Sequence, residues 1–582
     1  MTTIEQLVTG NIGEWTKAVK PKASAGRGGG SANELYGIKQ IRKLILDLAV
    51  RGLLVPQQLN DEPVSQLLVS MESQRASLNE TSKPRKARRA EEPLVSQLFD
   101  VPSGWQWARM ADIGSIFSGN SINARAKVDK YTDVEGRPYI ATKDIGYGFE
   151  PLDYANGIAI PMDESKFKVA QTGAVLICSE GGSAGKKCGV TKRDVCFGNK
   201  LIANQLFSGM EPHFILSLYL SPTFYEQFSE SMTGIIGGIS LAKFTNLPVP
   251  LPPSPEQSRI VAKVDELMSL CDQLEAQQAG SIEAHKRLVT TLLDALTKAT
   301  EREGFESAWA RVADNFDVLF MTEWSVDELN NSVLQMTASG HLSIQNPEEE
   351  PATELLKRVS SEKESLSREQ RMGKQSKLIS IDDQEHELPQ PRGWALSRLG
   401  AVGVSATGKT PKTSRDDYYG GSIPFIGPGQ INAAGDILEP EKTLTEQGLE
   451  EIAEASPGDI LMVCIGGSIG KSALGCGRFG FNQQINLIRP MLIDAQFLYL
   501  MMRAPFFQES VIENSTGSAT PIINRSKWDN LLVPVAPLPE QRRIVEKVDE
   551  LMVICDALKS AIKEAQQTQL LLADAITEQA LT

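Results

Sequence analysis

The twenty residues from Pro255 to Leu274, PEQSRIVAKVDELMSLCDQL, return 284 positions later as PEQRRIVEKVDELMVICDAL from Pro539 to Leu558, identical at 15 of 20 positions. A repeat on this scale means two copies of a domain-sized module, not an array of small solenoid turns. Each copy reads as a helix. Ser254, Pro255 and Glu256 form a helix-start signal, after which Ile260, Val264, Leu267, Cys271 and Leu274 recur at spacings of 4, 3, 4 and 3. The twin runs Ile544, Val548, Leu551, Cys555, Leu558 and Ile562 on the same spacing. Each heptad seam needs an apolar partner. The economical solution is that the two helices pack on each other about an internal pseudo-twofold axis; the alternative is that each seam packs on its own domain.

The duplication extends over the whole chain. Pro102, Gly104, Trp105, Arg109 and Gly114 answer to Pro391, Gly393, Trp394, Arg398 and Gly403, and Gly173, Leu176, Gly181, Gly182, Ser183, Gly185 and Lys186 to Gly458, Leu461, Gly466, Gly467, Ser468, Gly470 and Lys471. Ahead of these, Gly52, Leu54, Pro63, Leu67 and Leu68 fall opposite Gly340, Leu342, Pro351, Leu355 and Leu356. Each half therefore reads as lead-in helices, a mixed globular domain and a long helix. The expected fold is α+β: two β-rich globular domains separated by long antiparallel coiled-coil helices. The expected divisions are 1–92 (N-terminal extension, lead-in helices and basic linker), 93–252 (first domain), 253–387 (central helical region), 388–537 (second domain) and 538–582 (C-terminal helix).

The 582 residues, 41% of them hydrophobic, suffice for several cores of ordinary size. No signal peptide is read, and no apolar run approaches the roughly 18 residues of a membrane span. Seven cysteines without a C-x-x-C pair argue against a disulfide framework or a zinc finger and point to a reducing cytoplasm. Cys271 and Cys555 hold equivalent apolar positions and read as small core residues. The net charge of −14 is unevenly spread: +4 over 1–92, −1 over 93–252, −12 over 254–387, −2 over 388–537 and −3 over 538–582. The acid lies on the helical frame, so both globular domains are near neutral, and strong nonspecific phosphate binding by this chain alone is not implied. One basic run, Lys83, Arg85, Lys86, Arg88 and Arg89, reads as a solvated linker.

Short apolar runs bounded by Gly, Pro or Asn, such as Ala174–Cys178, Asp459–Cys464 and Ile485–Ile488, predict strands, while Phe214–Phe228 and Phe497–Val511 show helical spacing. Loops rich in Gly, Thr, Asn and basic residues fill the rest, and such loops carry the donors and acceptors that contact phosphates and base edges. Composition permits DNA reading without proving it; the contacts such a reading would use are Asn120, Asn123, Arg125, Lys127, Lys143 and Lys186 in the first domain and Lys409, Lys412, Arg415, Tyr418, Tyr419, Lys471 and Arg525 in the second. Gly466–Ser472 imitates a phosphate-binding P-loop, but the motif needs Gly where Ile465 stands, and the twin has Glu180 there and Lys187 where Ser or Thr is required. Both stretches read as tight glycine turns, with Lys186 and Lys471 either phosphate contacts or solvated cations. Enzyme constellations fail as well. The four histidines, His213, His285, His341 and His386, have no i, i+4 partner among themselves, and neither an Asn/Asp-Pro-Pro-Tyr/Phe tetrapeptide nor a G-x-G-x-x-G cofactor loop occurs. No catalytic, cofactor-binding or metal-binding residue is therefore assigned.

Taken together, the paired Gly-Trp segments (Gly104-Trp105, Gly393-Trp394), the stretch Tyr418-Tyr419-Gly420-Gly421-Ser422-Ile423-Pro424-Phe425-Ile426, the G-G-S-x-G-K turn and the PEQxRIVxKVDEL helix resemble the specificity subunits of type I restriction-modification enzymes. The resemblance spans residues 34–582, and the long N-terminal extension looks most like subclass IB. In the first half, Asp133–Ile140 lacks the Tyr-Tyr-Gly-Gly element. The resemblance implies two target-recognition domains, each reading one half of a bipartite, asymmetric double-stranded DNA target, with the coiled coil setting an unread spacer. It further implies docking of two modification subunits, which carry S-adenosylmethionine chemistry at adenine N6, and of restriction subunits that use ATP and Mg2+ for translocation and cleavage. This chain would itself bind no cofactor and work in the cytoplasm, away from membranes. The competing reading is a non-catalytic coiled-coil scaffold without DNA readout.

Overall fold

The computed structural model describes residues 10–21, 33–81, 97–234, 237–299, 301–369, 375–381, 391–517 and 519–581. The basic run from Lys83 to Arg89 lies outside the described residues. Two compact units divide the chain. The first comprises everything up to Gly280 together with Ala565–Thr582, and the second comprises Ser281–Glu564.

The first unit opens with three helices, α1 (Ile12–Lys17), α2 (Tyr36–Arg51) and α3 (Val64–Thr81). α2 stops at Gly52, whose left-handed φ of 72° leaves no room for a Cβ because Pro102 lies 2.5 Å from where it would stand. The head beyond these helices contains β1 (Gln106–Arg109), β2 (Gly114–Ser118), α4 (Ala124–Tyr131), β3 (Arg137–Ile140), β4 (Ala159–Ile160), β5 (Val169–Ala170), β6 (Val175–Cys178), β7 (Cys188–Val190), β8 (Val195–Phe197) and β9 (Leu201–Leu206). α5 (Pro212–Leu220), α6 (Pro222–Ser231) and β10 (Pro248–Leu251) complete it. One antiparallel sheet has the order β2-β9-β6-β7 and a second the order β4-β3-β8-β5, while β10 pairs with β1 to close the head. All four residues of β6 are buried, which requires cover on both faces. Val175 and Ile177 point into a core shared with Phe214, Tyr219, Phe224 and Phe228 of the helices, whereas Leu176 and Cys178 point into one shared with Ile140 and Phe197 of the other sheet. The head is thus layered as helices, sheet, sheet.

The second unit repeats this order. α7 (Ser254–Thr297) runs unbroken past Gly280 and contributes its last turns here, ahead of α8 (Glu323–Ser339) and α9 (Ala352–Arg368). α8 ends at Gly340, with φ 71° and Pro391 2.5 Å from where a Cβ would stand, so the paired Gly and Pro of the repeat are one packing device used twice. The head comprises β11 (Ala395–Arg398), β12 (Gly403–Thr407), β13 (Tyr419–Ile426), β14 (Lys442–Leu444), β15 (Glu454–Ala455), β16 (Ile460–Val463), β17 (Ser472–Leu474), β18 (Phe479–Phe481) and β19 (Ile485–Pro490). It ends with α10 (Ala495–Arg503), α11 (Pro505–Glu513), β20 (Leu532–Val535) and α12 (Leu538–Leu581). Its sheets run β12-β19-β16-β17 and β14-β13-β18-β15, with β11 paired to β20. The strand β13 that carries Tyr419-Gly420-Gly421 has a counterpart in β3 despite the missing motif. Both pair in parallel with the second strand after the glycine turn, Phe425 opposite Gly480 of β18 and Tyr139 opposite Cys196 of β8.

Mutual packing of the two seams is not what buries them. Ile260, Val264, Leu267, Cys271 and Leu274 share a core with Ile38, Ile41 and Ile45 of α2 and with Ala573 near the end of α12. Ile544, Val548, Cys555 and Ile562, with Leu551 and Leu558 at its edge, share the other core with Val326, Leu329 and Val333 of α8 and with Val289, Leu293 and Leu296 of α7. Each seam is therefore covered within its own unit by the lead-in helix and by the far end of the other long helix. A heptad stripe specifies that a partner exists but not which of several apolar helices it is. Charges fix the choice locally: Arg42 on α2 reaches Asp272 at 2.6 Å and Glu275 at 2.9 Å on α7, and Lys559 on α12 pairs with Asp327 on α8. Cys271 and Cys555 are buried, and burial pushes both thiols up to about 11.

Candidate nucleic-acid interface

In each head three loops meet at one end of the helix-covered sheet. In the first, Gly181–Lys186 comes after β6, Gly198–Lys200 joins β8 to β9, and Thr233–Ser240 comes after α6, with residues 235 and 236 of that last loop outside the described residues. The Ser179 N–H donates to the Lys200 carbonyl at 2.8 Å, Gly181 N–H to Gly237 at 2.9 Å and Ile239 N–H to Ser179 at 2.9 Å. The second head repeats each bond: Cys464 N–H to Gln484 at 2.8 Å, Gly466 N–H to Pro521 at 2.9 Å and Ile523 N–H to Cys464 at 3.0 Å. The backbone frame is common to both heads. What it displays is not, since Glu180 and Lys200, an ion pair at 3.2 Å, are replaced by Ile465 and Gln484.

The sequence-predicted residues fall into two groups on this scaffold. Some hold the fold together. The Asn120 amide donates to the Lys166 carbonyl at 3.3 Å and its Oδ1 accepts from the Lys168 N–H at 2.9 Å, and Asn123 caps α4 by accepting from the Ala126 N–H at 2.7 Å. The Tyr419 hydroxyl donates to the Pro411 carbonyl at 2.7 Å. Others are presented outward. Arg125 is 94% exposed beside Asp129, Lys127 is half-buried one face round the same helix, and Lys143 stands 3.3 Å from Asp144. Lys412 is exposed, and Lys186 lies over the Tyr225 ring at 5.7 Å.

In the second head Lys409, Arg415 and Tyr418 form a single knot. Arg415 grips the Asp417 carboxylate through two nitrogens at 2.8 and 2.6 Å and stacks on Tyr418 at 4.6 Å, an arrangement that holds Asp417 below the usual carboxylate range. Tyr418 donates to the Glu451 carboxylate at 3.4 Å, and the Lys409 ammonium donates to the Glu451 carbonyl at 3.3 Å. Arg525 stands apart from this knot, at the start of the short helix Arg525–Asp529, and Lys471 is half-buried at the end of its glycine turn. Burial pushes the Asp529 carboxyl up, opposed by bonds from Ser376 and Ser405 and by the positive charges of Arg525 and Lys363.

Sequence reading missed Tyr147. It is 61% exposed, its hydroxyl is 3.3 Å from the Ser183 hydroxyl, and its ring carries the Lys187 ammonium at 4.9 Å. A lone aromatic in an irregular loop has no periodicity to mark it. Also missed was the work of the PEQ signature. The buried Gln257 accepts from the Glu211 N–H at 2.8 Å and donates to the Pro252 carbonyl at 3.1 Å, and Gln541 does the same with Asp494 and Ala536, both at 2.8 Å. These glutamines tie each long helix to the start of α5 or α10. Among the described residues no group of His, Cys, Asp and Glu could hold a metal ion, and no helix is long and apolar enough to cross a membrane.

Comparison with known proteins agrees in both halves. The family model for the type I restriction modification DNA specificity domain matches residues 102–284 and 391–566. The chain is similar to the specificity subunit of the type I restriction enzyme EcoAI of Escherichia coli, 33% identical over 100% of both chains. It is also similar to that of EcoEI of Escherichia coli, 31% identical over 99% of this chain and 100% of the relative. A crystal structure of the HsdS subunit from Thermoanaerobacter tengcongensis aligns with 83% of this chain and 98% of its own at 18% identity and a TM-score of 0.41.

Proposed function

The chain belongs to the family of type I restriction-modification DNA specificity subunits, and from that membership we propose that its two heads each read one half of a split, asymmetric duplex sequence with an unread spacer between them. The protein supplies DNA sequence specificity within a type I restriction-modification complex, as a recognition subunit and not as a catalyst. The observation that carries the division of labour is the pair of heads itself. Both have one strand order and one set of loop-fixing hydrogen bonds, yet they display different side chains at that frame. Equal frames with unequal surfaces suit two different half-sites, because phosphate contacts set register while base-edge contacts carry sequence.

The finer assignment extends this reading. Two modification subunits use S-adenosylmethionine to methylate adenine N6 at the site this chain selects, and restriction subunits use ATP and Mg2+ to translocate and cleave. The specificity chain binds none of these cofactors and works with its partners in the cytoplasm. The exposed candidates Arg125, Lys143, Lys186 and Lys412 are the first to test as DNA contacts, with Lys127, Lys409, Arg415, Tyr418, Lys471 and Arg525 behind them.

Exchange of one head tests the proposal. Replacing Gly393–Pro534 with the matching segment of a relative carries the β11–β20 closure with the transplanted piece except for Val535, the partner of Ala395. Methylome sequencing is expected to show one half of the modified sequence changed and the other retained. A change in both halves, or in neither, refutes independent heads, and a complex that assembles without any sequence preference would favour a scaffold without DNA readout.

A further inference from the structure

The two glycine turns share a feature that the fold does not need. In Gly181–Lys186 and in Gly466–Lys471 the first glycine has a left-handed φ, 83° and 87°, and the fifth residue, Gly185 or Gly470, has one of 69° or 89°. Those four glycines are accounted for by backbone conformation, and the fifth position also by packing, since a Cβ on Gly185 would lie 2.6 Å from the Phe228 ring on α6 and one on Gly470 would strike Gln508 on α11. The second glycine is different. Gly182 and Gly467 are exposed, have no left-handed φ, and a Cβ on either would meet nothing within 4 Å. A Cβ would fit at either position, yet both copies of the module have glycine.

The backbone at these positions is also unspent. Within each turn the amides of residues 181, 184, 185 and 186, and of 466, 469, 470 and 471, donate to named carbonyls. The N–H groups of Gly182 and Ser183, and of Gly467 and Ser468, have no protein acceptor among the described residues. Two consecutive amides without an acceptor in a glycine turn are the donors from which an anion-binding concavity is built. A side chain at the first of them would hold a ligand's backbone away, which is the ordinary reason for glycine at a close approach. A lysine closes each turn, Lys186 in one head and Lys471 in the other, and adds a positive charge to it.

We propose that the G-G-S-x-G-K turn of each head grips a phosphate of the DNA backbone through the amides of Gly182 and Ser183, or of Gly467 and Ser468, as the same sequence-independent foothold in both heads. This rests on the reading of the heads as DNA-binding domains and adds to it a separation of roles. The shared turn sets register on the duplex, and the unlike residues beside it, Tyr147, Glu180 and Lys200 in one head and Ile465 and Gln484 in the other, leave each head free to read a different sequence.

The test uses Gly182→Ala, Gly467→Ala and the double variant in the full chain, purified with its modification subunits. Binding is measured on a duplex containing the methylome-defined site and on one of unrelated sequence, across a salt series. Alanine fits both positions in the free protein, so melting temperatures are expected to match the wild type. Each single variant is expected to weaken binding to both duplexes about tenfold, the low end for loss of a hydrogen bond to a charged group. Lys186→Ala and Lys471→Ala are expected to lower the salt slope by about 1 each, as loss of a phosphate contact does. If the wild type binds DNA but the alanine variants bind both duplexes equally well, the phosphate foothold is refuted while the heads remain DNA-binding. If only the specific duplex is affected, the turn reads bases and the proposal also fails. A wild-type complex that binds neither duplex would overturn the underlying reading itself.

Discussion

Glu256 and Glu540 occupy the first turn of the long helices, both buried, with exposures of 1% and 0%. The Gln57 amide donates to Glu256 at 2.6 Å, and Ser343 and Gln345 donate to Glu540 at 2.5 and 2.9 Å, so each carboxylate clasps the loop after its lead-in helix. Burial raises the Glu256 carboxyl above its ordinary value, against the opposing bonds from neighbouring donors. A carboxyl raised in the folded state contributes stability that is fully present below its unfolded pKa and is lost as pH rises through the folded one. Glu256→Gln cannot ionise and is expected to show a flatter fall in melting temperature between about pH 4 and pH 8 than the wild type. A variant with the same slope would show that Glu256 titrates as it does in the unfolded chain. None of this was legible in the sequence, where Pro-Glu-Gln reads only as a helix start, because the partners Gln57 and Glu211 lie 199 and 46 residues away.

At the scale of elements, the sequence was most informative where periodicity was long. The helix pattern and its duplication follow from spacing alone, whereas Phe214–Phe228 and Phe497–Val511, which read as stretches of helical spacing, each divide into two short helices at Pro222 and Pro505. Strand order does not follow from spacing, because it depends on which short apolar run lies beside which, and β6 and β16, buried on both faces, carry no alternation to orient them. The seams show the same limit: their spacing is visible, their partners are not. α7 continues through Gly280, a residue of low helix propensity, with nothing within 4 Å of a Cβ there. Gly280→Ala is therefore expected to stabilise the helix by about 0.8–1.0 kcal/mol, the propensity difference at an interior position. Chemical denaturation measures it, and an unchanged or lower midpoint would mean that the glycine serves an interaction outside this chain.

For the whole molecule, the decisive feature is that neither long helix belongs to one unit. α7 contributes its residues up to Gly280 to the first unit and those from Ser281 to the second, and α12 contributes those up to Glu564 to the second and those from Ala565 to the first. The two division points are 284 residues apart, the same offset as the repeat. Hence a length change in one helix alone would be opposed by the other, and a test of whether these helices set the unread spacer must alter both. Four residues add about 6 Å of helix and rotate the distal segment by only about 40°, whereas two residues rotate it by about 200°. Duplex DNA rises about 3.4 Å per base pair. Paired four-residue insertions after Gly280 and after Glu564 are expected to lengthen the gap between unchanged half-sites by one or two base pairs, about the quotient of those two lengths. Paired two-residue insertions, which rotate Val289, Leu293 and Leu296 away from the core shared with α8 and Ala573 away from the core shared with α2, are expected to abolish modification. Methylome sequencing reads both outcomes, and a four-residue pair that returned the original gap at full activity would show that the spacer is set elsewhere.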